Sequence, residues 1–370
     1  MRTFPTQPEQ LTADWFTIAL RDAGVLAPDR SVTSFDVSSV GEGIGLVGMV
    51  VRAALVYDGP PGTGGPDSVV IKFSHPSKDN RAIGVGLRMY EREVRFFNEI
   101  APGVDVPMPA CYFAAIVSET GENIIVLEDM HRYRAGDQLA GATVEEAKMA
   151  IDAFVPLHAK FWGVSDADPG PLQGLMRIDT TFIEPFMPAV DMTWERSLEQ
   201  FSYCMTDDVR AAVPQYVAAM REIHREMGRR TMTAVHGDVK VDNLMFGDGD
   251  PGLHPVILLD WQAIMISNPM HDAAYVLCQS LNVEDRRAHE DELIRYYYDL
   301  LTQSGVTNYS LEQCYEDHDI AALYFLAYAI IVGGLWDGTS ERGKRLAEVL
   351  LTRAANTITD RGLLRLIPSV

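Results

Sequence analysis

The sequence predicts an α+β protein in which a small β-rich lobe precedes a larger, mainly helical lobe. Three observations lead to this fold class. The chain has 370 residues, which is long for one hydrophobic core and favours two domains or two lobes. Short β-like runs dominate from about residue 31 to residue 130. After residue 143 the pattern is mostly helical, with a short β-rich patch near residues 253–260.

The β-rich part contains four candidate strands. They are SVTSFDVSSV (31–40), GMVVRAALVY (48–57), SVVIKFS (68–74) and ENIIVLEDM (122–130). The Gly/Pro-rich stretch DGPPGTGGPD, residues 58–67, can continue neither of the strands that flank it. It therefore predicts a long hairpin tip between the second and the third strand.

A helix is predicted over residues 89–101, ended by the Pro-Gly pair that follows. At about 100° per residue, Glu93 falls within the apolar arc of this helix. A carboxylate that faces a core is costly unless a cation meets it. Lys72 is the expected partner, because it is a charge within an apolar strand directly before the helix. The alternative is that Glu93 reaches solvent along the edge of the lobe.

The formal net charge of −21 is the most unusual bulk property of the chain. It argues against binding to nucleic acid or to anionic membrane surfaces, since both carry negative charge. The acidity suits a cationic small substrate, but it also serves as an ordinary solubilising surface charge. The composition, with 47% apolar and 22% charged residues, is that of a soluble globular protein.

The cysteine pattern and the apolar segments bear on the location of the protein. The four cysteines are far apart in the sequence, which fits reduced thiols in a cytoplasm. The first residues contain no apolar segment typical of a secretory signal. Residues 320–336 are uncharged and of marginal membrane-spanning length, but two tyrosines and a Gly-Gly pair favour a buried core helix.

The segments HGDVKVDN (236–243) and PVILLDWQ (255–262) carry the strongest chemical signal. Phosphoryl transfer from a nucleotide needs a group that accepts the proton of the attacking hydroxyl, and Asp238 fits that role. It also needs oxygen ligands for Mg²⁺, which Asn243 and Asp260 would supply. The alternative for the first segment is a polar surface loop.

These two segments together resemble the aminoglycoside phosphotransferase and choline kinase group. Within that group the chain looks most like the ecdysteroid-kinase-like branch, on the segments VHGDVKVDNLMF, LDWQ, NPMHDAAYVL, YEREVRFFNEIAP, VLEDM and LHAKFWG. The resemblance covers residues from about 40 to 280. It implies a protein-kinase-like bilobal fold, with a nucleotide-binding lobe at 1–130 and a helical lobe with the catalytic loop at 131–370. The nucleotide would bind between the lobes, and a small-molecule hydroxyl would be the acceptor.

The resemblance implies nucleotide-binding roles for residues of the first lobe. Lys72 would contact the α- and β-phosphates, and Glu93 would be its ion-pair partner, in agreement with the helical-arc argument. Residues 127–130 would form the hinge, where Glu128 and Met130 are the residues expected to present backbone groups to the adenine edge.

The resemblance also implies supporting roles around the catalytic loop. Asp272 would brace the loop by hydrogen bonds, and His236 would fix its shape without acting as the base. Lys240, two residues after Asp238, fits the resemblance less well. On charge alone it would neutralise the transferring phosphate, and a surface lysine is an open alternative.

Two motifs depart from the pattern of protein kinases. The segment GEGIGLVG (41–48) lies where a phosphate-covering loop belongs, with Gly43 as its candidate contact. Leu46 replaces the third glycine of GxGxxG, so a simple glycine-rich hairpin stays open as an alternative. The segment DWQ (260–262) lacks the glycine of DFG, and constitutive activity is therefore expected instead of a switching motion.

Three residues of the helical part have less specific assignments. His158 shares helical spacing with apolar residues, so a hydrogen-bonded core histidine is expected instead of a metal ligand. Trp336 and Asp337 lie in the region where the family builds its acceptor pocket, and they are candidates to line it. Aromatic residues in helices more often belong to a core.

The leading hypothesis is a soluble small-molecule kinase that uses Mg²⁺ and ATP or GTP. The alternative is a kinase-shaped nucleotide-binding protein without turnover. A protein substrate is disfavoured because no activation segment is recognisable between Asp260 and Asp272. The acceptor stays open between an amino sugar or amino alcohol and an apolar alcohol such as a steroid or polyketide, and so do the choice of nucleotide and the oligomeric state.

Overall fold

The computed structural model describes residues 3–44, 48–60 and 64–369, which fold into two compact units. The first unit consists of Met1–Gly103 and Met108–Arg132, and the second consists of Val104–Pro107 and Tyr133–Val370. The chain is a mixed α/β protein, with a small antiparallel sheet in its first part and mostly helices in its second. The fold class predicted from the sequence is confirmed.

The first unit is built on a five-stranded antiparallel sheet with the order β1-β2-β3-β5-β4. The strands are β1 (Val32–Ile44), β2 (Gly48–Tyr57), β3 (Ser68–Ser74), β4 (Cys111–Val117) and β5 (Glu122–Glu128). All four predicted strands are present. The edge strand β4 was missed, because its run CYFAAIV is apolar without alternation and does not distinguish strand from helix. Strands β2 and β3 pair as predicted, and residues 61–63 of their connection lie outside the described residues.

The described residues of the first unit also form three α-helices: α1 (Ala13–Asp22), α2 (Lys78–Gly86) and α3 (Met89–Arg95). Helix α1 begins at Thr12, whose hydroxyl accepts a hydrogen bond from Trp15 N, and it buries Phe16 against the sheet. Helix α3 continues as a π-helical turn over Phe96–Ile100 and ends in a 3₁₀ turn at Ala101–Gly103. The helix predicted over 89–101 is present, but its second half changes pitch.

The second unit contains eight of the helices in the described residues and five short strands. The helices are α4 (Val144–Lys160), α5 (Ile183–Phe201), α6 (Asp207–Gly228), α7 (Met270–Tyr275), α8 (Val283–Gln303), α9 (Leu311–Tyr324), α10 (Leu326–Leu335) and α11 (Glu341–Arg361). The strands are β6 (Arg134–Ala135), β7 (Thr233–Val235), β8 (Leu244–Phe246), β9 (Val256–Leu258) and β10 (Met265–Ser267). They form a three-stranded sheet β6-β8-β9 and a two-stranded sheet β10-β7, whose ends carry the loops with the candidate catalytic residues.

The apolar segment predicted as one core helix is two helices that meet at Phe325. The hydroxyl of Tyr216 donates to Tyr324 O and accepts from Ala327 N, at 2.9 Å in both bonds. This inserted hydroxyl takes over hydrogen bonds that a continuous helix would make itself. The stretch Leu311–Leu335 is long and apolar enough to cross a membrane, but 78% of its most apolar window is buried within the protein. That burial agrees with a core location.

Candidate active site

The first unit contains the predicted ion pair on its central sheet. Lys72 lies on β3, and its Nζ is 2.5 Å from Oε1 of Glu93 on α3. The Glu93 side chain is 4% exposed and that of Lys72 is 18% exposed. Glu93 therefore does not reach solvent, and the lysine charge offsets the cost of burying its carboxylate. The lysine side chain is held by this ion pair and stays partly exposed.

The hinge segment has a polar anchor that the sequence did not reveal. The buried carboxylate of Asp129 accepts hydrogen bonds from Arg52 at 2.6 and 3.0 Å and from Ser68 at 2.6 Å. Burial opposes its ionisation, but these donors hold the pKa of Asp129 below its usual value. Glu128 is exposed at the end of β5, and Met130 is buried. The proposed contact of both residues with adenine stays a prediction.

The predicted catalytic loop follows β7 and is held by one buried carboxylate. Asp272 on α7 accepts hydrogen bonds from the backbone nitrogens of His236 at 2.7 Å and Gly237 at 2.9 Å. Gly237 has φ +86°, and a Cβ there would lie 2.4 Å from Ala263 O, so the tight turn requires glycine. His158 contacts the same carboxylate through Nε2 at 3.0 Å. His158 is thus the hydrogen-bonded core histidine that was predicted.

His236 uses both ring nitrogens inside the loop. Its Nε2 lies 2.8 Å from Leu259 O, which can only accept, so this nitrogen carries the proton. Its Nδ1 accepts a hydrogen bond from Asp238 N at 3.3 Å. The ring also packs on buried Trp261, with 4.5 Å between the centroids. The arrangement gives His236 a role in shaping the loop and leaves it without a lone pair for proton abstraction.

Asp238, Lys240 and Asn243 form one compact polar group. Lys240 Nζ is 2.8 Å from Oδ2 of Asp238, and Asn243 Nδ2 donates to the same oxygen at 3.1 Å and to Asp238 O at 2.8 Å. Desolvation opposes the charge of Lys240, but Asp238 and Asp260 together raise its pKa above the ordinary value. The lysine is therefore a fixed positive charge beside two carboxylates.

Asn243 and Asp260 fit the requirements of a magnesium site. They flank the paired strands β8 and β9, and Asn243 O accepts from Leu259 N at 2.9 Å. The amide nitrogen of Asn243 donates to Asp238, so its Oδ1 is the side-chain atom that would bind a cation. Asp260 has φ +63°, an uncommon conformation for a residue with a side chain, and Gln262 donates to its Oδ2 at 3.0 Å. Amide and carboxylate oxygens are the hard ligands that Mg²⁺ prefers.

The glycine-rich segment is only partly covered by the structure. Gly43 lies near the end of β1, which extends to Ile44. Leu46, at the position of the third glycine, lies outside the described residues. Phosphate contact by this segment stays a prediction.

Trp336 and Asp337 lie in the loop between α10 and α11. Trp336 Nε1 donates to Ser340 O at 2.9 Å, and Asp337 accepts from Thr339 N at 2.9 Å. These bonds shape the loop itself, and an acceptor-binding role for the two residues stays a prediction.

Tyr275 is a candidate that sequence reasoning missed. It is the last residue of α7, and it is buried within the second unit. Burial raises its pKa well above the ordinary value, and the charge of Asp238 raises it further because the hydroxyl faces that carboxylate. Tyr275 follows Asp272 by three residues, which places both on one face of the helix. That spacing is the sequence signal that could have identified Tyr275.

A second group of potential metal ligands lies elsewhere in this unit. Cys278, Glu290 and His318 are buried and have ligand atoms within 4.8 Å of one another. Arg286 and Arg361 contact Glu290 Oε2 at 3.1 and 3.3 Å. Two guanidinium groups already neutralise this carboxylate, so the group is a buried ion network that joins helices.

Comparison with known sequences identifies a family. A sequence model of the ecdysteroid kinase-like family matches residues 43–306, which is more than half of the chain. No curated protein matches the chain.

Solved structures share the fold at low sequence identity. A choline kinase from Cryptosporidium parvum Iowa II has a TM-score of 0.55 at 11% identity, covering 95% of this chain and 98% of that one. A microcompartment-associated aminopropanol kinase has a TM-score of 0.52 at 12% identity, covering 95% and 99%. An aminoglycoside phosphotransferase in complex with GDP and kanamycin has a TM-score of 0.51 at 13% identity, covering 93% and 99%. The fold is that of kinase-like small-molecule phosphotransferases.

Proposed function

The chain belongs to the ecdysteroid kinase-like family, and we propose on this premise that it phosphorylates a hydroxyl group of a small organic molecule. The phosphoryl donor is ATP or GTP, and the reaction requires Mg²⁺. The observation that carries the proposal is the compact group of Asp238, Lys240 and Asn243 beside Asp260, each with the side-chain chemistry that phosphoryl transfer needs.

Each residue of this group has one proposed task. Asp238 orients the acceptor hydroxyl and accepts its proton as the bond to phosphorus forms. Lys240 places a positive charge next to the transferring phosphoryl group. Asn243 and Asp260 hold Mg²⁺, which when bound neutralises charge on the nucleotide phosphates. Much of the rate enhancement then comes from positioning and electrostatics.

Lys72 and Glu93 supply the proposed phosphate contact in the first unit. Glu93 is buried and cannot leave its partner without cost, so it holds the lysine in one place. The partly exposed ammonium group then binds the α- and β-phosphates of the nucleotide. The names of the structural relatives, among them a choline kinase and an aminopropanol kinase, support a small acceptor with a hydroxyl group.

The test is a transfer screen with Mg-ATP and Mg-GTP against amino sugars, amino alcohols and polycyclic apolar alcohols. Mass spectrometry detects a phosphorylated acceptor, and the Asp238→Asn variant serves as the control for contaminating kinases. Product formed by the wild type and not by the variant supports the proposal. Nucleotide binding without product from any acceptor supports the alternative of a binding protein without turnover.

A further inference from the structure

A buried glutamine, Gln138, holds the second half of the catalytic loop. Its side chain is 1% exposed, and its Oε1 accepts from Val241 N at 2.8 Å. Its Nε2 donates to Gln279 O at 2.6 Å, and its backbone nitrogen donates to Asp242 Oδ1 at 2.8 Å. Both ends of the side chain are therefore used, one on the loop and one on the segment that follows α7.

The backbone at Gly136, two residues before Gln138, packs closely against the loop at Val241. Gly136 N donates to Leu244 O at 3.0 Å. A Cβ on Gly136 would lie 2.1 Å from Val241 O. Only glycine fits this approach, which places Gln138 in register with residues 241 and 242.

A buried arginine from the last long helix holds Gln138 in turn. Arg353 on α11 donates through Nη1 to Gln138 O and to Gln279 O, at 2.9 Å in both bonds. Its Nη2 donates to the side chain of Asn282 at 3.0 Å. Burial lowers the pKa of Arg353 to about 10. In the described part of the chain its partners are carbonyl and amide oxygens, so the guanidinium acts as a rigid connector.

The loop is thus held from two sides. Asp272 holds the backbone of its first two residues, and Gln138 holds residues 241 and 242. Asp238 lies between the two anchors, and Asn243 follows the second anchor directly. The distance between the proposed proton acceptor and the proposed metal ligand depends on both anchors.

We propose that Gln138, supported by Arg353, is a positioning residue that sets Asn243 relative to Asp238. The inference rests on the proposed function, because the proposed function is what makes Asp238 the proton acceptor and Asn243 a metal ligand. Loss of the Gln138 side chain leaves Val241 N buried without its acceptor, and the turn that carries Asn243 then shifts. Groups that orient metal ligands typically change metal affinity by about 10- to 100-fold when removed.

The experiment compares two substitutions of one residue. Gln138→Met keeps the size of the side chain and removes both hydrogen bonds. Gln138→Glu keeps the acceptor for Val241 N and removes the donor to Gln279 O. Thr193→Val is the matched control, since it removes a buried hydroxyl that bonds to Ala189 O within α5. Full-length protein is used for kcat, for the Mg²⁺ concentration that gives half-maximal rate, and for Tm.

The positioning role predicts an ordered result. Gln138→Met raises the Mg²⁺ requirement about 10-fold and lowers kcat by a similar factor, with nucleotide KM at saturating Mg²⁺ nearly unchanged. Gln138→Glu has a smaller effect on both, because it keeps the bond to the loop. Thr193→Val lowers Tm without changing the Mg²⁺ requirement. The proposal is overturned if Gln138→Met, assayed at a temperature well below its Tm, needs the same Mg²⁺ concentration as the wild type.

A second readout separates this inference from the proposed function. Mn²⁺ binding, followed by electron paramagnetic resonance with a non-hydrolysable ATP analogue, needs no acceptor and no turnover. Weaker Mn²⁺ binding in Gln138→Met supports the positioning role even if the wild type phosphorylates nothing. Equal Mn²⁺ binding in both proteins overturns it even if the wild type is an active kinase. If Gln138→Met does not fold, Arg353→Met, which removes the bonds to Gln138 O and Gln279 O, is compared with the wild type by the same criteria.

Discussion

The two units hold their candidate functional residues in different ways. In the first unit the proposed phosphate-binding lysine, Lys72, forms an ion pair with Glu93, and its side chain is partly exposed. In the second unit the predicted catalytic loop is held by buried groups, Asp272 and Gln138, that make several hydrogen bonds each. Removal of the Lys72–Glu93 ion pair is expected to have a local effect. Removing one member of a buried network changes the positions of its neighbours too.

The largest effect on kcat is expected for Asp238. The hydrogen bonds of Asp272 and Gln138 position this residue, but its own side chain is not needed to make them. Asp238→Asn removes the proposed proton acceptor while an amide oxygen still accepts from Lys240 and Asn243. We expect kcat to fall by about 10³-fold, within the usual range for general base removal, with Tm and nucleotide affinity nearly unchanged. Steady-state kinetics, thermal denaturation and nucleotide titration measure the three quantities. A variant that keeps a tenth of wild-type kcat contradicts the role of Asp238.

The second effect concerns acid stability, which we expect to originate in the second unit. Burial lowers the pKa of His224 and of His271 to about 4, so both rings are neutral in the folded protein at neutral pH. Unfolded histidine has a pKa near 6.5 and takes up a proton first as the pH falls. Stability is therefore lost between about pH 6.5 and pH 4, by about 3 kcal/mol per histidine at the acid end.

The measurement is Tm against pH for the wild type and for His224→Gln. Glutamine keeps a donor for Ile178 O, which His224 Nδ1 contacts at 2.9 Å, and it cannot be protonated in this range. The variant is expected to lose less stability than the wild type between neutral pH and pH 4. Parallel curves for the two proteins would show that His224 does not carry the acid sensitivity.

The third prediction concerns the ion pair between Lys72 and Glu93 in the first unit. Lys72→Met and Glu93→Gln are each expected to raise nucleotide KM about 10-fold, since each removes or releases the same ammonium group. The double variant should be little worse than Lys72→Met alone, because both changes act through one contact. Nucleotide KM at saturating Mg²⁺ is the measurement. Multiplicative losses would show that Glu93 acts on the nucleotide by another route.

The two units also differ in how much of their candidate site could be predicted from the sequence. The pairing of Lys72 with Glu93 followed from one strand and the next long helix, because helical periodicity alone turns Glu93 inward. The loop residues Asp238, Asn243 and Asp260 followed from a resemblance that rests on short segments of sequence. Such local patterns can be read from a sequence, because the spacing between residues close in the chain largely sets their relative positions.

In the second unit the contacts of Gln138 and Arg353 join residues that are distant in sequence. No local sequence pattern predicts such contacts. Gln138 meets Val241 across more than a hundred residues, and Arg353 is farther still from Gln138. The break at Phe325 likewise could not be predicted, since it depends on the hydroxyl of Tyr216 in another helix. Helical periodicity predicts which residues of a helix face the core. Which residues they contact there depends on tertiary packing, which the periodicity does not show.

The smallest effect is expected where the second unit has a contact outside the catalytic loop. Tyr216→Phe removes the hydroxyl that bonds to Tyr324 O and Ala327 N and keeps the ring in place. A buried hydrogen bond contributes about 1 kcal/mol net, and we expect Tm to fall by a few degrees with kcat unchanged. Thermal denaturation and steady-state kinetics on one preparation measure both. A fall in kcat would link the helix break to the candidate active site, because Phe325 at the break and Tyr328 on α10 pack on Tyr275, whose pKa the charge of Asp238 raises.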